Sequence, residues 1–185
     1  MASFPASVEP NFYAYLKNRK RPLDLLKKGA KTITHPDQRW ENCYIKSLNL
    51  LPNVLAKQKA VENDAYEAIL HRDHVVTEGS SSNIFLVKDG SIYTHPATNR
   101  ILSGCVRSAV IRLAKNEGIP IVEEAFTLDD INKADEMFLT SSTSEVMPIV
   151  QINDRLIQNG KPGKLTQQLQ AAYEKDANID NHTLN

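Results

Sequence analysis

Lys46 stands in the stretch Tyr44-Ile45-Lys46-Ser47-Leu48-Asn49-Leu50-Leu51, a single cation among apolar neighbours. Apolar surroundings disfavour the ammonium form and lower the pKa, which turns a lysine into a nucleophile toward carbonyl carbon. The same pattern fits a lysine that snorkels at a strand end, its stem packed and its head in water. Glu78, in Thr77-Glu78-Gly79-Ser80-Ser81-Ser82-Asn83, ends an apolar strand and precedes a loop rich in hydroxyls and backbone donors. It reads as a solvated strand end or as the acceptor that keeps a heteroaromatic nitrogen protonated. Leu102-Ser103-Gly104-Cys105-Val106-Arg107 opens a helix through a glycine turn, where free N–H groups and the helix dipole suit an anion. Every helix has such an end. The hydroxyl run Thr140-Ser141-Ser142-Thr143-Ser144 can donate to a phosphate or fold onto itself as an ST-turn.

These groups need elements to bring them together. Alternating and β-branched runs predict strands at Val8–Lys17, Lys31–Thr34, Cys43–Lys46, Tyr66–Leu70, Val75–Glu78, Asn83–Val87, Ile92–His95, Ile119–Glu123, Met137–Thr140 and Val146–Ile152. Helical spacing predicts a short helix from Pro22 to Gly29. A longer one follows from about Leu48 to Glu62, with an apolar face of Leu51, Val54, Leu55 and Val61. Further helices are expected from Gly104 to Glu117 with Ser103 as N-cap, from a Thr127 cap to Ala134, and from Lys164 to Lys175. Lys46 then falls at a strand-to-helix junction. Strands interleaved with helices, including an antiparallel meander, predict a mixed α/β (α+β) domain.

Composition narrows the function classes. The 185 residues are 41% hydrophobic and 24% charged, ordinary globular usage with room for a sizeable core. Lys plus Arg and Asp plus Glu both number 22, so the sequence carries no footprint for nucleic acid or an anionic membrane. Cys43 and Cys105 are far apart and in no metal-ligand spacing, which points to a reducing, cytoplasmic setting without a disulfide framework or metal site. Met1–Pro10 has no export signal, and no run is long enough to span a bilayer.

The order of the four chemical segments carries more information than any one of them. Lysine after a strand, carboxylate with a Gly-Ser-Ser-Ser-Asn loop, Leu-x-Gly helix start and Thr-Ser-Ser-Thr-Ser-Glu loop together resemble the fold-type IV pyridoxal-phosphate enzymes. Ile45–Leu51, Glu67–Arg72, Tyr93–Pro96 and Ile101–Gly104 extend the likeness, which runs from about Val8 to Tyr173 and is nearest the D-amino-acid aminotransferase branch. The resemblance implies a mixed sheet or pseudo-barrel with flanking helices. It implies Lys46 as the lysine that carries pyridoxal 5'-phosphate as a Schiff base, and Glu78 as partner of the pyridine nitrogen. Leu102 is implied against one face of the ring, the amides of Cys105 and Val106 at the phosphate, and Ser141 and Ser142 in a second phosphate loop. Pro52, where relatives often have Gly, and Val106, where the nearest have Thr, depart from the pattern.

The implied activity is transamination between D-alanine and 2-oxoglutarate in a homodimer. Branched-chain aminotransferase and aminodeoxychorismate lyase share the scaffold, and a non-catalytic cofactor-binding domain is a further alternative. Residues 1–21 are expected to be a remnant of the family's small N-terminal domain plus linker, 22–176 the cofactor-binding large domain and 177–185 a frayed tail. The family's small domain supplies an arginine to the phosphate and a trap for the substrate carboxylate. These 185 residues by themselves are therefore expected to transaminate little.

Overall fold

The computed structural model describes residues 7–178. Chain order is α1 (Leu23–Lys28), β1 (Ala30–Pro36), α2 (Leu51–Glu62), β2 (Glu67–Arg72), β3 (Val75–Gly79), β4 (Asn83–Lys88) and β5 (Ser91–Thr94). There follow α3 (Cys105–Asn116), β6 (Ile121–Glu123), α4 (Leu128–Ile131), β7 (Glu136–Ser141), β8 (Glu145–Ile152), β9 (Arg155–Leu156) and α5 (Lys164–Asp176). Among the described residues the strands form one curled mixed sheet, ordered β3-β2-β1-β8-β7-β4-β5-β6 with β9 beside β8. β1 runs parallel to both β2 and β8, while β2/β3, β4/β5, β4/β7 and β7/β8 are antiparallel. The expected mixed α/β class is the class observed.

Tight turns set the antiparallel register. Asp73 and His74 (φ 47° and 67°) join β2 to β3, and Asp89 and Gly90 (φ 50° and 74°) join β4 to β5. Both are two-residue links with positive φ at each centre, whose twist matches the flanking strands. β4 and β7 are buried on both faces. Ile84, Leu86, Met137 and Leu139 pack into one cluster, and Phe85, Val87 and Phe138 into another beneath α3 and α5. Phe85 and Phe138 stack with centroids 4.6 Å apart. Because side chains alternate, a slip of one residue would exchange the two clusters, so burial of both faces fixes the register.

Four expectations are corrected. Residues 8–17 form no strand: they run without regular structure, and Val8, Phe12, Tyr13, Tyr15 and Leu16 are exposed. Residues 43–46 are a turn and bend rather than a strand, because no neighbouring strand pairs with them among the described residues. α2 turns Ala56 and Ala60 to the sheet and leaves Leu51, Val54, Leu55 and Val61 exposed, since small alanines let the helix approach β1 and β2 closely. Gly104, not Ser103, is the N-cap of α3. The Thr127 cap is present as a reciprocal capping box with Asp130, and Pro52 sits in the first turn of α2. The tail expected over 177–185 falls mostly outside the described residues.

Candidate active site

Glu78 lies near the end of β3, and its strand alternation points the carboxylate inward, where the residue is only 5% exposed. Three donors meet it. Arg39 Nη1 donates to Oε1, Asn83 Nδ2 to Oε2 at 3.0 Å, and the Leu102 amide lies 3.2 and 3.1 Å from Oε1 and Oε2. A carboxylate offers about four lone-pair sites, so this set leaves capacity for one further donor. Burial, the strongest influence, raises the Glu78 carboxyl to about 7, against the pull of the Arg39 charge and hydrogen bond and of the Leu102 amide.

Arg39 is itself clamped. Asp37 Oδ1 accepts from its Nε and Oδ2 from its Nη2, both at 2.8 Å, and Thr77 Oγ1 donates to the same aspartate at 2.9 Å. Burial alone would raise the Asp37 carboxyl. Arg39 outweighs it and lowers the group to about 2.

Asn83 also donates to the Leu102 carbonyl at 2.8 Å, which holds the 101–104 turn against β4. A Cβ on Gly104 would come within 2.4 Å of Asn83 Oδ1, so the glycine permits this approach. α3 starts here with no side-chain cap and no acid in its first turn, leaving its leading amides for an outside acceptor. Opposite lies the β7–β8 turn, with Cys105 Sγ 3.5 Å from Ser142 Oγ. The buried Thr140 hydroxyl, one residue before that turn's Ser141, has no hydrogen-bond partner. Leu102 is half-buried and Val106 buried beneath the helix start, while Cys105 and Ser142 are exposed and Ser141 is half-buried.

Lys46 is exposed, which agrees with a lysine whose head is in water and not with a desolvated one. Its loop is tied down on both sides: Cys43 N donates to Asn99 O at 2.8 Å, and Asn53 Nδ2 to Ser80 O at 2.8 Å. Both anchors belong to loops that border the Glu78 carboxylate, the 96–102 loop and the Gly79–Ser82 loop. The serines of the latter serve another group. Buried Glu67 accepts from Ser80 Oγ, from Ser81 Oγ at 3.2 Å and from Ser82 Oγ at 3.0 Å, so those hydroxyls build the loop instead of facing a ligand.

With this geometry in place, the comparisons decide the family. The sequence profile described as amino-transferase class IV matches residues 2–152. The chain belongs to the class IV aminotransferases.

This class IV aminotransferase chain is 48% identical over 183 residues to a D-alanine aminotransferase of Staphylococcus aureus (strain N315), covering 98% of the chain and 64% of that protein. It is 45% identical over 171 residues to one from Bacillus licheniformis, covering 92% and 60%. It thus spans a little under two thirds of these curated relatives. Among solved structures, the branched-chain aminotransferase from the archaeon Thermoproteus uzoniensis, crystallised with norvaline, superposes with a TM-score of 0.75 at 30% identity, covering 80% of the chain and 51% of that one. The PLP-form enzyme from Thermobaculum terrenum, a branched-chain amino acid aminotransferase, gives 0.76 at 28%, covering 83% and 53%.

Reading the class IV sequence alone misses the residues that hold Glu78. Asp37 and Arg39 are two apart in an unremarkable loop, and only the fold brings them to a carboxylate 39 residues away. The one usable signal is Asn83, a polar residue opening an otherwise apolar strand.

Proposed function

We propose that residues 22–176 form the pyridoxal 5'-phosphate-binding unit of a D-amino-acid transaminase acting on D-alanine and 2-oxoglutarate. The observation that carries this reading is the Glu78 carboxylate, held by three donors with capacity for one more, beside an uncapped helix start and a hydroxyl turn. The residues fit the cofactor. An acceptor for a protonated ring nitrogen lies at one end. The free amides of Cys105 and Val106, the partnerless Thr140 hydroxyl and Ser141 and Ser142 offer donors for a phosphate at the other. Relatives 45–48% identical over 92–98% of the chain favour D-alanine over the branched-chain substrates named for the more distant structures.

In this reading Lys46 Nζ would hold the cofactor covalently and, once displaced by the substrate amine and free again, would take and return the substrate α-proton. Lysine suits both roles because its exposed amine sits on a loop anchored at Cys43 and Asn53. Bound there, the cofactor supplies an electron sink for charge developing at the substrate α-carbon. Glu78 keeps a proton on the ring nitrogen, and Arg39 keeps Glu78 in place. Leu102, with its amide spent on Glu78 and its carbonyl on Asn83, offers its side chain to the ring face.

The exposed apolar face of α2 supports the homodimer, and the two free thiols, Cys43 and Cys105, fit a cytoplasmic setting. Amino acid and 2-oxo acid are the expected partners. Among the described residues no helix is long and apolar enough to cross a membrane and no cluster of metal ligands occurs.

Borohydride reduction of the cofactor-saturated protein followed by peptide mapping tests the assignment. The Lys46 peptide should carry the label. Label on another lysine, or a chain that binds no cofactor, would refute it.

A further inference from the structure

The β7–β8 turn carries a residue that its backbone does not favour. Ser142, Thr143 and Ser144 link Ser141 to Glu145, which pair across the hairpin base, and Glu145 has φ 55°. That conformation belongs to glycine or asparagine, and a glutamate there carries a backbone cost that glycine would avoid. An outlier of this kind asks what its side chain does.

The Glu145 carboxylate receives a two-pronged guanidinium. Arg21 Nε donates to Oε1 and Arg21 Nη2 to Oε2, each at 2.6 Å, with only 19% and 12% of the two side chains exposed. Arg21 Nη2 also meets Glu174, on the last turns of α5. Planar, doubly bonded contacts of this type fix direction as well as distance. From the other side, Tyr66 Oη and Ser144 Oγ are 2.7 Å apart, and Ser144 N donates to Ser141 Oγ at 3.0 Å. The base of the turn is held on both sides, while Ser142 and Thr143 stay exposed at its tip. Arg21 stands at the end of the irregular segment 7–22, immediately before α1.

We propose that the Arg21–Glu145 fork positions the Ser141–Ser144 turn for a phosphate monoester, so that the irregular N-terminal segment governs how firmly the cofactor is kept. The inference rests on the cofactor reading above and adds two positioning residues, 124 apart in sequence. At this glycine-like backbone position the glutamate carboxylate fixes where the turn hydroxyls point.

Titration of the protein with pyridoxal 5'-phosphate and, separately, with pyridoxal distinguishes a phosphate-loop effect from general loosening. Bound chromophore absorbance is the readout, and no activity is required. Arg21→Met and Glu145→Gly should each weaken pyridoxal 5'-phosphate by about tenfold, equivalent to ~1.4 kcal/mol, and leave pyridoxal unchanged. Glu145→Gly removes the backbone cost together with the carboxylate and leaves Arg21 paired with Glu174, so its melting point should fall less than that of Arg21→Met while it still loses cofactor. Glu174→Gln, which removes another partner of Arg21, should leave the ratio of the two affinities as it was. If both ligands weaken together, or if neither variant changes the ratio, the fork does not act through the turn and the proposal falls. An unaltered protein that fails to prefer the phosphorylated ligand overturns the cofactor reading itself, and the fork's role with it.

Discussion

The Glu78 side and the Lys46 side of the candidate site are built in opposite ways. Glu78 is buried, held by three donors and backed by Arg39, which Asp37 holds in turn. Lys46 is exposed on a loop whose nearest anchors, at Cys43 and Asn53, lie several residues away. The difference follows from what each group is asked to do. A carboxylate that must face a fixed ring nitrogen gains from a rigid frame. A lysine that must form and release a covalent bond and move a proton needs reach.

The largest effect should come from breaking the rigid side. Arg39→Met leaves Glu78 buried without its cation and Asp37 with Arg72 alone, 3.4 Å away, and is expected to cost about 3–5 kcal/mol in urea unfolding. Lys46→Ala should leave the urea midpoint where it was while abolishing the borohydride label. Equal losses of stability from the two variants would erase the contrast. Next is Gly104→Ala, whose methyl group meets Asn83 Oδ1 and should cost about 1–3 kcal/mol by displacing the 101–104 turn.

Glu78→Gln keeps the shape and removes the charge. In the enzyme complete with the family's small domain, turnover should drop at least about tenfold, equivalent to ~1.4 kcal/mol in barrier, with cofactor retention changing less; unchanged turnover there would reject the role. The same substitution has a signature in pH. The Glu78 carboxyl, raised to about 7, holds its proton more firmly in the folded chain than in the unfolded one. Its contribution to stability is complete below the ordinary carboxyl value near 4.5 and is lost as pH rises through about 7, so Glu78→Gln should flatten stability across that window. Asp37 leans the other way: lowered to about 2, it contributes above 3.8 and loses that contribution as pH falls toward 2. Smallest of all is Leu55→Ser on the outer face of α2, expected to shift stability by no more than about 0.5 kcal/mol because the residue is 54% exposed. A larger loss in the assembled protein would show that this face is covered.

Most of the sheet was legible because β4, β7 and β8 are short apolar runs with β-branched and aromatic residues between turn signals, and α3 shows one apolar stripe at helical spacing. Two segments were misread for a common reason. Residues 8–17 and 43–46 have strand-like composition, yet a strand exists only where a neighbour supplies hydrogen bonds, and none does among the described residues. The face of α2 was inverted because Leu, Val and Leu outweigh Ala in any apolar count, whereas close packing on a sheet selects Ala56 and Ala60. In the site, Glu78 and the α3 start stood out by type and position. Arg39, Asp37 and the Glu67 that binds the serines did not, since their partners lie 13 to 40 residues away along the chain.

The placement of β1 sets a timetable for making the protein. This strand is flanked by β2 and β8, and its Thr32 hydroxyl reaches the Gln151 carbonyl 119 residues further on. A ribosome delivering residues in order therefore exposes one unpaired edge of β1 until β8 has emerged, long after β2 and β3 can form their hairpin. Non-local parallel pairing of this kind closes late and slowly, and an open edge invites pairing with other chains. A nascent chain stopped before residue 145 lacks the strand that seals its own middle, so aggregation during synthesis should fall sharply once β8 is out.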